Sequence, residues 1–175
     1  MALVIESGAG DNAAATSYVT VAEAQAYAAA RGVELPADNA AVEALLINAM
    51  DYLEAQRAKY QGVKTHPGEQ PLQWPRTGVI LDCSYQLPED VIPVELKNAQ
   101  MQLAMEVFSG IALMPSSDGK MVKREKVDVI EREFMTAQDL KGGGLPEPSF
   151  PAVDALLAPL FSACGGGFGL RTVRV

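Results

Sequence analysis

The sequence predicts a mainly α-helical fold: a small helical bundle with a long Pro/Trp loop, a β-strand or hairpin arm and a C-terminal β-type tail. Three observations carry this. Apolar residues recur at helical spacing in successive stretches, and the first two stretches open with side-chain caps. Proline and glycine crowd the 61–92 interval around Trp74, the only tryptophan. β-type patterning is confined to two late runs, 123–134 and 170–175. At 175 residues the chain fits one domain, 1–175, able to bury a core without disulfides or metals. Within it, 1–19 reads as an N-terminal arm, 20–118 as the helical core, 119–148 as a β arm and linker, and 149–175 as a short helix and tail.

In the arm, Gly8, Gly10, Asp11, Asn12 and Ser17 discourage regular structure. Thr20-Val21-Ala22-Glu23 reads as a capping box, because a threonine hydroxyl and a glutamate three residues on can satisfy each other's backbone donors. The Ala-rich helix after it runs to Arg31 and stops at Gly32, a favoured residue just past a helix end. Asp38 or Asn39 caps the second helix, whose core face is Val42, Leu45, Leu46, Ala49, Tyr52 and Leu53. Residues 61–92 read as one long connection. Within it Pro71, Trp74, Pro75 and Arg76 form a stiff structural loop with the indole expected in the core. Pro93 opens the third helix at no cost in hydrogen bonds. From Val94 to Leu113 one apolar face is Leu96, Ala99, Leu103, Val107 and Ile111. Met101, Met105 and Phe108 form a second, so the helix is expected to be central.

After Pro115–Gly119 the period changes. Residues 123–134 alternate with β-branched positions and read as a strand. Lys141–Gly144 with Pro146, Pro148 and Pro151 make a connector. Ala152–Phe161 is a short helix with Val153, Leu156, Leu157 and Leu160 inward, and Gly165–Gly167 releases the β-type tail 170–175. A lone strand pair is marginal in water and open edges recruit other chains. The interface candidates are therefore Lys123, Val127, Val129, Ile130, Arg132 and Phe134, with Leu170, Arg171, Val173, Arg174 and Val175 in the tail. An intramolecular hairpin or small sheet is the competing reading.

The net charge is −8 and the pI about 4.6, the opposite of what phosphate neutralisation demands. Lys120, Lys123, Arg124 and Lys126 form the one basic cluster, which Arg132, Arg171 and Arg174 could extend. Glu125, Asp128, Glu131 and Glu133 interleave with it, and Phe134 is the only aromatic nearby, so a solvated strand is favoured over a single-strand groove. Cys83 and Cys164 read as free thiols in a reducing compartment. No signal-peptide core and no membrane-length apolar run is present.

Chemistry is nearly absent. His66 with Cys83 could form a nucleophile pair, but no third orienting residue accompanies them. The glycine runs lack the Gly-Lys-Ser/Thr continuation of a phosphate loop. Asp51 and Glu54 read as a solvated helix face rather than a facing acid/base pair. No catalytic residue, cofactor site or metal-ligand set is expected, and no enzyme activity.

Several segments resemble a family of tailed bacteriophages. They are Ser17-Tyr-Val-Thr-Val-Ala-Glu-Ala-Gln-Ala-Tyr27, Ala29-Ala-Arg-Gly32, Asp51-Tyr-Leu53, Gln70-Pro-Leu-Gln-Trp-Pro-Arg-Thr-Gly78, Ile92-Pro93, Lys123-Arg-Glu-Lys-Val127 and Asp154-Ala-Leu-Leu-Ala-Pro-Leu160. The family is labelled "putative DnaT-like ssDNA-binding", and its size and layout also resemble head–tail connector, or adaptor, proteins. The connector resemblance implies a homo-oligomeric ring, typically of twelve subunits, in the neck of the virion and made in the host cytoplasm. It would sit between the portal protein and a downstream neck or tail protein. DNA would pass through its lumen without specific binding, and no membrane would be involved. The label implies single-stranded-DNA binding instead.

Overall fold

In this computed structural model, residues 3–114 and 149–162 are described in full, together with the backbone of 121–126 and 131–135. The fold is mainly helical, with four packed helices and small antiparallel hairpins. Two compact units divide the chain. One comprises 1–113 and 150–175, and the other 114–149.

Helix α1 is Val21–Ala29. The Thr20–Glu23 capping box forms in both directions, with Glu23 N–H donating to Thr20 Oγ1 at 3.2 Å and Thr20 N–H to Glu23 Oε2 at 2.7 Å. Past Ala29 the chain closes a Schellman turn on Gly32, with Val33 N–H reaching Ala28 O and Gly32 N–H reaching Ala29 O. Helix α2, Asn39–Ala55, is capped by Asp38, whose carboxylate accepts from Ala40 N–H. Val42, Leu46, Ala49 and Leu53 are buried as expected, and Met50 joins them.

Helix α3 is Val94–Phe108, which corrects the expected end at Leu113. A second Schellman turn explains the difference. Ile111 N–H bonds Glu106 O, Gly110 N–H bonds Val107 O, and Gly110 takes φ +87°. Phe108 and Ile111, expected on apolar faces, are therefore left exposed beyond the packed part of the helix. α3 is central as expected: it packs against α1, α2 and α4, the last being Pro151–Phe161. Val153, Leu157 and Leu160 of α4 are buried.

The 61–92 interval is not one unbroken connection. Strand β1 (Val63–Lys64) pairs antiparallel with β2 (Arg76–Thr77), and β3 (Ile80–Leu81) with β4 (Tyr85–Gln86). Three residues, 82–84, join β3 to β4. Ser84 N–H closes a turn on Leu81 O at 3.2 Å with Asp82 and Cys83 at φ +49° and +65°, although neither residue is the glycine that such positions favour. At Gly62, φ is +65° and a Cβ would collide with the Thr77 carbonyl, so this position needs glycine to let β1 and β2 meet.

The N-terminal segment is irregular, as expected, but it is packed rather than free. Ile5 and Ser17 form a parallel bridge, and Glu6, Gly8, Ala15, Ser17, Tyr18 and Val19 are buried. It docks because α3 supplies partners for its backbone. Gln100, fully buried on α3, accepts from Tyr18 N–H at 3.0 Å and donates to Ser17 Oγ at 2.8 Å and to Leu46 O at 3.2 Å. One amide thus joins the arm, α2 and α3.

In the second unit, β5 (Met121–Lys126) pairs antiparallel with β6 (Glu131–Met135). The run expected as a strand over 123–134 is thus two strands paired with each other, the intramolecular alternative. Of the described residues, no helix is long and apolar enough to cross a membrane.

Truncating Gln100 should strand the Tyr18 N–H in the core. Gln100→Ala is expected to cost about 2–4 kcal/mol in denaturant unfolding. Gln100→Leu, which keeps the volume, should still cost more than about 1 kcal/mol. A neutral leucine variant would show that the amide's bonds contribute nothing.

Candidate functional site

Two places concentrate the residues that sequence reasoning singles out: the Trp74 loop and the β5–β6 hairpin. The loop is built around burial of the indole. Trp74 is wholly buried, with its ring edge-on to Tyr60 at 5.7 Å, and Tyr60 in turn meets Phe161 of α4 at 5.4 Å. Trp74 N–H donates to the Tyr18 hydroxyl at 3.1 Å, and that hydroxyl donates to Glu54 Oε1 at 3.2 Å. Gln73 N–H donates to the same carboxylate oxygen at 2.9 Å.

Sequence pattern puts Glu54 on a solvated face with Asp51; instead α2 turns it under the loop as the acceptor that fixes it. Burial lifts its carboxyl above the usual range, against the bonds from Gln73 and Tyr18 that pull it down. Burial, and then the neighbouring Glu54 charge, push the Tyr18 phenol well above its usual value, so Tyr18 stays a donor.

Gln70, also buried, clamps the other side of the loop by donating to Leu72 O at 2.8 Å and Pro75 O at 3.0 Å. Arg76 is buried and donates to the backbone carbonyls of Gln61 and Gly62, both at 2.6 Å. Pro75 is buried while Pro71 is exposed. The side chains of Tyr18, Glu54, Gln70 and Arg76 hold the loop, while the buried indole Nε1–H of Trp74 has no partner. The arrangement is structural, as the sequence suggests for Pro71, Trp74, Pro75 and Arg76.

Cys83 is disulfide-bonded, which corrects the free-thiol expectation; Cys164 lies outside the described residues. With no thiol at Cys83, the His66–Cys83 pair has no nucleophile. The described residues contain no group of three or more His, Cys, Asp or Glu that could hold a metal ion.

The interface candidates on the hairpin are placed by backbone register. Lys123 lies in β5 at a register irregularity between Val122 and Arg124, and Arg132 and Phe134 lie in β6. Val127, Val129 and Ile130, and the tail residues Leu170, Arg171, Val173, Arg174 and Val175, lie outside the described residues. Three consecutive register positions pair opposite charges: Arg124 with Glu133, Glu125 with Arg132, and Lys126 with Glu131. Such pairs stabilise a hairpin by roughly 0.2–1 kcal/mol each. They also set an acid across from each of those cations. The helical unit is more strongly acidic. Residues 3–114 and 149–162 hold six Lys and Arg against fifteen Asp and Glu. Its large exposed aromatics, Tyr85 and Phe108, sit on separate elements rather than in a stacking groove.

Sequence reasoning missed Gln100 and Glu54. Nothing local marks either one, since each looks like a surface polar residue until the arm or the loop covers it.

A family profile described as "Putative DnaT-like ssDNA binding protein" matches residues 1–175. No curated protein and no solved structure matches the chain.

Two outcomes are expected from the loop geometry. Trp74→Ala should destabilise the fold by about 3–5 kcal/mol in denaturant unfolding, with a small loss instead arguing against a core role. The second concerns pH. A folded carboxyl with a raised pKa takes up its proton before the unfolded one does. The contribution of Glu54 to stability therefore rises as pH falls through that raised value, and levels off at the ordinary carboxylate pKa. Glu54→Gln keeps an acceptor oxygen and carries no charge. It should be at least as stable as the parent at pH 7 and lack this rise on acidification. A variant with an unchanged stability–pH profile would contradict the assignment.

Proposed function

We propose that this chain, which belongs to the family described as "Putative DnaT-like ssDNA binding protein", is a structural assembly subunit: a head–tail connector that forms a ring between portal and tail. The observation that carries the reading is the charge layout. The described residues 3–114 and 149–162, with fifteen acids against six bases, repel a polyanion, and the hairpin cations Arg124, Lys126 and Arg132 stand opposite acids in the ladder. A channel that DNA must slide through without sticking requires such a surface. The phage-family resemblance of the Trp74 loop and the first helix supplies the connector context.

The proposed mechanism is mechanical rather than catalytic. Helices α2 and α3 form the rigid body. The 123–134 hairpin and the C-terminal tail contact a neighbouring subunit or the portal, and the acidic surface faces the passing DNA. Contacts made on assembly add to a body that is already held together by the Trp74 loop and the arm. No cofactor takes part. The site of action is the virion neck.

Single-stranded-DNA binding is the second reading, and the family description favours it directly. If it holds, the cations available for it lie in 120–132 and the tail rather than on the helical unit.

One pair of measurements separates them. As a connector, the chain should be found in purified virions at ring stoichiometry to portal. It should also bind a fluorescent single-stranded oligonucleotide more weakly than about 100 µM at low salt. Absence from virions together with micromolar, steeply salt-dependent binding would establish strand binding and overturn the connector.

A further inference from the structure

The two short ladders of the helical unit leave large apolar side chains in solvent. Val63 on β1 is 61% exposed, Ile80 on β3 39% and Tyr85 on β4 56%. Ladders of two residues also leave strand edges that ordinary folds pair or cover. The outward side of β3 is occupied at Ile80 by Gln61, whose side chain donates to Ile80 O at 3.2 Å and accepts from Ile80 N–H at 3.4 Å. That leaves β4 as the edge. Beside it opens a cavity of about 290 Å³ lined by Thr77, Gln86, Leu87, Pro88 and Glu89, room for one or two side chains.

The described chain stops on the β3 side of this hairpin. Gln61 N–H donates to Leu160 O at 3.0 Å, and its side chain donates to Pro159 O at 2.8 Å. The same glutamine thus ties the C-terminal end of α4 to β3, and the last described residue, Ser162, is two positions beyond Leu160. The C-terminal sequence has β-type alternation: in Leu170-Arg-Thr-Val-Arg-Val175, Val173 and Val175 share one face. Eleven residues, 165–175, can reach about 35 Å when extended, far more than a two-residue ladder needs. Cys83, in the turn joining β3 to β4, is disulfide-bonded, and the sequence contains one other cysteine, Cys164. A disulfide between them would bring the two Cα atoms to about 4.4–6.8 Å. Charge agrees, since Asp82 lies in the β3–β4 turn, Glu89 lines the cavity and the tail carries Arg171 and Arg174.

We propose that residues 165–175 of the same chain dock as an added strand on the β4 edge, covering Tyr85, and that a Cys83–Cys164 bond tethers them there. The inference goes beyond the connector reading. It concerns the isolated chain, so it stands or falls without portal or DNA.

Hydrogen exchange read by mass spectrometry on the unreduced full-length protein tests it. Amides of 170–175 should exchange at least about tenfold more slowly than an unstructured chain. Tyr85→Lys, a change at an exposed position, should abolish that slowing while the amides of α2 and α3 keep theirs. Digestion without reductant should release one peptide pair joining Cys83 to Cys164. Tail amides at unstructured rates, or protection that Tyr85→Lys leaves intact, would overturn the docking. Protection lost on dilution would assign the site to the tail of a second copy and overturn the same-chain occupant. Two titratable thiols in the unreduced protein would overturn the tether.

Discussion

The helical unit depends on what Tyr18 does with its two polar ends. Its backbone N–H is satisfied by Gln100 of α3, eighty-two residues away, and its hydroxyl stands between Trp74 N–H and the Glu54 carboxylate. One residue thereby fastens the N-terminal segment, α2, α3 and the tryptophan loop. The constraint behind it is general: a polar group taken out of water needs a partner, and leaving one unpaired costs about 1–3 kcal/mol. The arm stays in the core because Ala15, Tyr18 and Val19 are buried there and its backbone is completed there.

The same rule governs the loop. Trp74 contributes a large apolar surface, but a tryptophan flanked by prolines cannot hold its own backbone. Gln70, Arg76 and Glu54 do so, by donating to or accepting from main-chain groups of residues 61–75. Their charges and amides hold the loop's main chain. Elsewhere the described helical residues carry an excess of acids, and the hairpin ladder alternates sign across its strands.

That ladder shows how far a one-dimensional reading reaches. The cations of 120–132 are visible as a cluster, and so are the acids among them. That Arg124, Glu125 and Lys126 stand opposite Glu133, Arg132 and Glu131 is a matter of register, which depends on where the chain turns between the strands. The helix ends tell the reverse story. Both Gly32 and Gly110 terminate their helices by the same hydrogen-bond pattern. The stop at Gly32 is plain in the sequence, while the apolar period running past Gly110 to Ile111 and Leu113 outweighs a stop signal that is equally legible. Cys83 looks like a free thiol in sequence because a disulfide leaves no local trace around the cysteine that forms it.

By itself the sequence determined the helices, their caps, the central place of α3 and the burial of Trp74. Those arise from periodicity, capping chemistry and the size of an indole, all of which act within a few residues. Only the tertiary structure decided that the N-terminal segment is packed, that Glu54 and Gln100 are inside, and that the proline-rich interval resolves into two ladders. Each of these turns on a partner supplied from far along the chain. A polar side chain's environment is set by what comes to cover it, and local sequence carries no record of that.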